Sequence, residues 1–346
     1  MQYRLLGKTG LRVSELVLGA MTFGEQGGVG CPPKEARRII DTYVEAGGNT
    51  IDTAINYRGG ESEHIVGEAV EGRRDSLVLS TKYTVSRGGA DPNAGGNQRK
   101  NLRLSLETSL RRLRTDYIDV YWVHIWDANT PVEETLRALD DAVRAGKVLH
   151  VGISDTPAWV VSHMHTLALL RGWTPVSAIQ VPYSVVNRDI ERELLPFAEA
   201  FGLSVTAWGP LQSGLLSGKY TRPGGPGEGV STRLAADGIS AEDHAAAQAV
   251  QDVADELGAT PSQVAIAWTM AKSPAVLPII GARNVEQLTD NLGAAGLALP
   301  AEAVARLDAV SGFRPGFPTE FIDGTMRWVL GDASPQVVDR PRPLSF

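Results

Sequence analysis

Cysteine is almost absent. Cys31 is the one such residue among 346, so no internal disulfide can form and a reducing cytoplasm is the expected compartment. Long apolar runs are missing too: nothing approaches the ~20 residues of a membrane span. The opening stretch MQYRLLGKTGLRVSELVLG carries charges where a signal peptide needs an apolar core. Charge of one sign is nowhere concentrated. The formal net charge of −7 is spread along the chain without a basic block, which argues against nucleic acid or a membrane surface as partner. No metal-ligand spacing surrounds Cys31. What is left is the composition of a folded soluble chain, long enough for one large α/β barrel or two ordinary domains.

Within it a pattern recurs: a helix, a glycine-containing turn, a short apolar run, and a polar or small residue where the run stops. The runs are LVLGA at 16, NTIDTA at 49, LVLSTK at 77, YIDVYWVH at 117, LHVGIS at 149, SAIQVPY at 177, LSVTAWGP at 203 and AVLPIIGA at 275. Helical spacing fills the intervals, as in Ala36, Ile39, Ile40, Tyr43 and Val44, or Leu102, Leu106, Leu110 and Leu113. Thr130-Pro131-Val132-Glu133 and Thr260-Pro261-Ser262-Gln263 both read as capping boxes with proline at the first helical position. Continuous apolar strands alternating with helices predict a parallel sheet buried on both faces. Closure into an eight-stranded β/α (TIM) barrel is the expected form, one domain over 1–346. An open doubly wound sheet is the alternative, but the first strand lacks a G-x-G-x-x-G turn.

Ahead of the barrel, two short alternating runs around Lys8-Thr9-Gly10 predict a β-hairpin over 1–15 that plugs one end. Residues 221–239, rich in Gly and Pro, read as a long loop after the seventh barrel strand that closes over a ligand. The tail, 311–346, has prolines and aromatics without clear period.

Barrels of this kind do their chemistry at the C-terminal ends of the strands. Reading those ends gives Asp52 and Tyr57, Lys82, His124, Ser154 with Asp155, Gln180, Trp208, and Gly281 with Arg283. Each has a plain alternative: Asp52 as a helix cap, His124 as a satisfied core histidine, Trp208 as packing, Arg283 as a solvated charge. Their placement at successive strand ends favours a site. His64, His150, His163, His165 and His244 have no such placement and read as structural. Asp52 and Lys82 form the obvious compensating pair, since buried charge must be paired. A phenol beside Lys82 is expected to have its pKa pulled below ~10, which suits Tyr57 as a general acid, with His124 holding a substrate oxygen.

IDTAINY, STKY, DYIDVYWVHIWD, VGISD, WGPLQSGLLSGKY and GARNVEQLTDNL together resemble the aldo-keto reductases, and the likeness covers nearly the whole chain. The resemblance implies Asp52, Tyr57, Lys82 and His124 as a catalytic tetrad and NADPH as cofactor. It places Ala20 and Met21 at the nicotinamide end, where Thr and an aromatic are frequent in the family. Ser154, Asp155 and Gln180 would surround the carboxamide, and the Trp208 ring would stack on the nicotinamide. Gly209, Pro210, Leu211, Ser213 and Lys219 would line the pyrophosphate. Gly281, Arg283, Gln287, Asp290 and Asn291 would meet the 2′-phosphate and adenine, and Arg233 would reach over the cofactor from the loop. Arginine at 283 favours NADPH over NADH, its fork of donors fitting a phosphate.

Substrate selectivity is expected from loops 23–33, 84–100 and 126–130 and from the tail, with Trp126, Phe313, Phe317 and Phe321 as candidate aromatic walls. The implied reaction is reduction of an aldehyde or ketone, including a sugar or natural-product carbonyl. GKTGLRVSELVLG, WGPLQSGLLSGKY and GARNVEQL look most like the potassium-channel β-subunit branch, which motivates a rival: a nicotinamide-sensing regulatory subunit. His124, often absent from that branch, and the lack of a long N-terminal extension stand against it. A barrel aldolase using Lys82 as a Schiff base is a third reading, disfavoured by the pairing with Asp52.

Overall fold

The computed structural model describes residues 1–221 and 238–336. Its frame is a closed ring of eight parallel strands. They are β3 (Val17–Gly19), β4 (Thr50–Asp52), β5 (Val78–Tyr83), β6 (Ile118–Val123), β7 (Val148–Ser154), β8 (Val176–Pro182), β9 (Ser204–Trp208) and β10 (Val276–Gly281), with β10 pairing β3. All eight apolar runs of the sequence are these strands, in chain order. Nearly every strand residue is buried, as a parallel sheet coated on its outer face requires. The coat follows the helical spacing: α1 (Pro33–Glu45) buries Ala36, Ile39, Ile40 and Tyr43. On α3 (Arg99–Leu113) Leu102, Leu106, Leu110 and Leu113 are buried in the same way.

The expected hairpin is β1 (Tyr3–Leu5) with β2 (Arg12–Ser14), antiparallel. It closes the end of the barrel at which the strands begin. Leu6 and Val13 pack there with Val17, Val78, Val120, Trp122, Ala178 and Leu277. The Gly7 amide donates to Ser204 Oγ at 2.8 Å. Gly7 has φ +54°, and a Cβ on it would lie 2.3 Å from the Ser177 carbonyl oxygen, so only glycine lets the plug sit this close.

Of the two expected capping boxes, one forms. Thr260 Oγ1 accepts from the Gln263 amide at 3.2 Å and Gln263 Oε1 accepts from the Thr260 amide at 3.3 Å, opening α8 (Pro261–Lys272). Thr130 instead donates to Asp127 at 2.6 Å, and α4 (Val132–Arg144) starts from Pro131 without a side-chain cap. The helix begins one residue later than the spacing predicts, so Thr130 stands outside the N-cap position. The tail also departs from the irregular reading: beyond α10 (Ala301–Ala309), Thr319–Leu330 is a helix, α11. Most of the 221–239 loop and the last ten residues lie outside the described residues. Among those described, no helix is long and apolar enough to cross a membrane.

Candidate active site

The register of the ring carries the strand ends to one rim. Gly19 pairs with Asp52, Asp52 with Ser80, Lys82 with Trp122, Ser154 with Gln180 and Pro182 with Trp208, while Gly281 returns to Gly19. Above this rim opens a cleft of about 760 Å³. Asp52, Tyr57 and His124 line it at one end, and Ser213, Lys219, Arg283 and Asn291 line it further along.

At the foot of the cleft three groups are chained. Lys82, fully buried, donates to the Asp52 carboxylate, to the Thr53 carbonyl at 2.7 Å and to Tyr57 Oη at 3.2 Å. Asp52 also accepts from the Ser80 hydroxyl and from Gln180 Nε2 at 3.3 Å. Every partner is needed: an ammonium and a carboxylate out of water are tolerated only when paired and hydrogen-bonded. Burial alone would push the Lys82 ammonium down, but the Asp52 charge and Tyr57 more than offset it, so Lys82 stays charged.

Tyr57 departs from the expected acidity. Burial pushes its phenol above the ordinary 10.0, the Lys82 ammonium pulls it back only in part, and Asp52 and Asp155 add upward pressure. The nearby cation favours the phenolate, but desolvation opposes it more strongly here. The His124 ring meets Tyr57 edge-on, with centroids 5.8 Å apart. Burial, helped by Lys82, pushes its imidazole down from 6.5 to about 3, so the ring is neutral at working pH. Its Nδ1 is buried and has no hydrogen-bond partner among the described residues. Leaving an acceptor nitrogen bare costs less than leaving an N–H bare, so the tautomer with the proton on Nε2 is favoured, and His124 can donate.

Tyr57 stands on a turn of left-handed residues, Arg58 (φ 52°), Gly59 (φ 63°) and Gly60 (φ 97°). Arg112 fastens that turn from α3, donating to the Ile55 carbonyl at 2.9 Å and to buried Glu63 at 3.1 Å. Arg58 stitches the 21–29 segment alongside, through the carbonyls of Met21 (3.3 Å), Gln26 (2.7 Å) and Val29.

On the far side, Trp208 ends β9 with its indole N–H donating to Asp155 Oδ1 at 3.2 Å. Burial pushes Asp155 above the usual carboxylate range, against hydrogen bonds from Trp208 and Ser154. The segment after β9 contains Gly209 (φ +69°), Ser213 (φ +56°) and Gly214 (φ +94°). A Cβ on Gly209 would meet nothing within 4 Å, so the backbone faces open space there. Beyond β10, Arg283 precedes α9 (Val285–Leu292), capped by Asn284 Oδ1 on the Gln287 amide at 2.9 Å. Gln287 Oε1 accepts the Arg283 amide at 3.0 Å, and Asn291 Nδ2 donates to the Gly281 carbonyl at 3.2 Å.

Most residues expected at the site line this cleft: Met21, Ser154, Asp155, Gln180, Trp208 through Leu211, Gly281, Gln287 and Asp290 join those named. Asp290 also accepts from Thr260 Oγ1 at 2.7 Å. Five of the expected residues lie elsewhere. Ala20 is fully buried, with its carbonyl taking the Ser62 hydroxyl at 2.7 Å. Trp126 turns aside to pack edge-on against Trp159 at 5.8 Å. Phe313 lies under the Arg188 and Arg192 guanidinium groups, and Phe317 and Phe321 point to solvent. Arg233 lies outside the described residues. Asn56, Val85, Ile125 and Ser262 line the cleft without having been singled out; their signal was adjacency, since each follows a strand end or opens a helix. Among the described residues no group of three His, Cys, Asp or Glu side chains could hold a metal.

Comparison with known proteins agrees with this geometry. The chain is 40% identical over 336 residues to a norsolorinic acid reductase of Aspergillus flavus, spanning 92% of this chain and 84% of that protein. It is 38% identical over 328 residues to an aryl-alcohol dehydrogenase [NADP(+)] of Phanerodontia chrysosporium, spanning 89% and 85%. A putative aryl-alcohol dehydrogenase of Saccharomyces cerevisiae is 37% identical over 334 residues, spanning 92% and 89%. The model of the aldo/keto reductase family matches residues 15–311, and with those strand ends, that cleft and these relatives the chain belongs to the aldo/keto reductase family of oxidoreductases.

Proposed function

We propose that the chain reduces an aromatic aldehyde or ketone to the alcohol with NADPH, Tyr57 delivering the proton. The observation that carries this is the Asp52–Lys82–Tyr57 chain at the foot of the cleft, with His124 facing the phenol. A reduced nicotinamide dinucleotide bound in the cleft supplies the hydride. The residues present fit such a group: open backbone at Gly209, the Lys219 ammonium, and the Arg283 guanidinium beside the start of α9, where helix amides and a fork of donors suit a phosphate. Gln180 and Ser154 stand where a carboxamide would be held, and Trp208 offers a ring face.

As hydride reaches the carbonyl carbon, the Tyr57 hydroxyl gives its proton to the carbonyl oxygen. Lys82, 3.2 Å from that hydroxyl, stabilises the phenolate left behind. Asp52 keeps Lys82 charged, and neutral His124 donates from Nε2 to hold the oxygen. A phenol whose pKa is raised stays protonated over the whole neutral range, though each further rise makes it a weaker acid. Met21, Val85, Ile125 and Trp208 make the walls apolar, and the relatives named as aryl-alcohol dehydrogenases support an aromatic substrate. The cytoplasm and a single domain complete this reading.

The rival sensor reading rested on the channel β-subunit likeness, and the three relatives above are named as reductases or dehydrogenases instead. A Schiff base on Lys82 is opposed by its burial and its three hydrogen bonds. The deciding experiment follows NADPH oxidation on a panel of aryl aldehydes, ketones, quinones and keto-sugars, with Tyr57→Phe in parallel. Turnover that collapses in the variant while NADPH still binds supports the reductase. NADPH binding with no turnover on any carbonyl would replace it with the sensor.

A further inference from the structure

Asp155 is the residue whose chemistry the reaction above leaves unused. It is an acid in the cleft where the proton donor gains nothing from one, since its charge raises the Tyr57 phenol further. Its backbone is unusual as well: φ is +40° at a residue other than glycine. Both backbone groups are tied down, the amide donating to the Gln180 carbonyl at 3.3 Å and the carbonyl accepting from the Trp126 amide at 3.4 Å. The carboxylate is thereby set between the Ser154 hydroxyl and the indole Nε1 of Trp208, the latter 3.2 Å from Oδ1.

Trp208 needs such an anchor. Its backbone is held by pairing with Pro182 and by the Tyr183 amide, which donates to the Trp208 carbonyl at 3.1 Å. The side chain, however, stands in the cleft with 41% of its surface exposed, so packing covers only part of it. A hydrogen bond from the indole N–H to a fixed carboxylate orders the ring, and a charged acceptor makes the stronger bond. A neutral amide at 155 would offer an oxygen without the electrostatic cost to Tyr57. The acid is therefore explained by the strength of its hold on the ring.

We infer that Asp155 is a positioning residue that acts through Trp208, fixing the indole as the wall against which the nicotinamide ring of the proposed cofactor is seated. This rests on the NADPH reading, and the test separates the two. The chain is labelled with 5-fluorotryptophan, the Trp208 resonance is assigned by its loss in Trp208→Phe, and Asp155→Gly and Asp155→Asn are compared with the native protein. Glycine tolerates the positive φ while deleting the carboxylate, and asparagine keeps an oxygen. Without any cofactor present, the Trp208 line is expected to shift and broaden in Asp155→Gly and to be restored only in part in Asp155→Asn, whose neutral oxygen makes the weaker bond. NADPH dissociation constants, measured directly, are expected to rise about five- to tenfold in Asp155→Gly, less than the full value of a charged hydrogen bond because only the ordering of the ring is lost. In the Trp208→Phe background that rise should vanish.

An unchanged fluorine line in Asp155→Gly overturns the proposal, as does a rise in the dissociation constant that persists in Trp208→Phe, which would mean direct contact with the cofactor. Should Asp155→Gly not be recovered folded, Asp155→Ser enters the same cycle with the same readings. If the native protein does not bind NADPH, the functional reading falls, while the fluorine line still decides whether Asp155 holds Trp208.

Discussion

Where the strands begin, Leu6, Val13, Val17, Val78 and Trp122 press an apolar hairpin into the barrel; where they stop, Asp52, Lys82, Tyr57 and His124 crowd charge and polarity around a cleft. The same strands build both ends. At the plug each side chain matters by its volume, and neighbours can substitute for one another in kind. At the mouth each matters by what it compensates: remove Lys82 and Asp52 is a bare buried anion; remove Asp52 and Lys82 loses what keeps it charged. The closed end therefore sets how stable the barrel is, and the open end spends part of that stability on holding charges out of water.

The sharpest test of this contrast is Lys82→Met. Removing one member of a buried pair is expected to cost about 3–5 kcal/mol of stability and to abolish turnover as well, measured by denaturant unfolding and NADPH oxidation. Stability unchanged within error would mean that the mouth is not strained by its charges. Leu6→Ala at the plug should cost about 2–5 kcal/mol through the cavity left behind, yet leave kcat near native below the melting transition. A large fall in kcat at full folding would show the two ends to be coupled. Arg283→Ala should weaken NADPH by about 1.5–3 kcal/mol, the value of a hydrogen bond to a charged group, and leave NADH almost untouched; equal losses would remove the phosphate from that residue.

The smallest effect is in pH. The folded His124 pKa, about 3, lies below the ordinary 6.5, so the unfolded chain takes up that proton first. The stability tied to His124 is complete above about pH 6.5 and drains away as pH falls towards 3. Between pH 7 and pH 5 the native protein should lose about 1–2 kcal/mol more than His124→Phe. Parallel curves for the two would show that the imidazole is not neutral by burial. Leu6→Ala removes no titratable group, so it should shift the curve without changing its slope.

Much of this contrast was legible in the chain. Eight apolar runs announced eight strands because a parallel strand coated on both faces has no polar positions to interrupt it. Asp52, Lys82 and His124 were legible because each breaks such a run at its end. What stayed hidden depends on distances between segments far apart in sequence. Thr130 has the spacing of a cap, but α4 starts one residue later, behind Pro131. Trp126 follows a strand end, yet its ring is claimed by Trp159. The rise in the Tyr57 pKa comes from how deeply the turn buries the phenol, which no spacing expresses. The bond from Trp208 to Asp155 joins the ends of β9 and β7 across the intervening β8, two residues 53 positions apart in the chain.

Ring closure also has a meaning in time. Val17 finds its partner in Ile279 and Gly19 in Gly281, so the first barrel strand waits for nearly the whole chain to be made before one of its sides is satisfied. At about 5–20 residues per second of synthesis, the roughly 260 residues between them correspond to a delay of about 13–50 seconds. The hairpin waits almost as long for Ser204, its anchor in β9. During that interval Val17 and Leu18 carry an unpaired edge beside exposed apolar surface, the state in which a nascent chain is most prone to pair with the wrong neighbour.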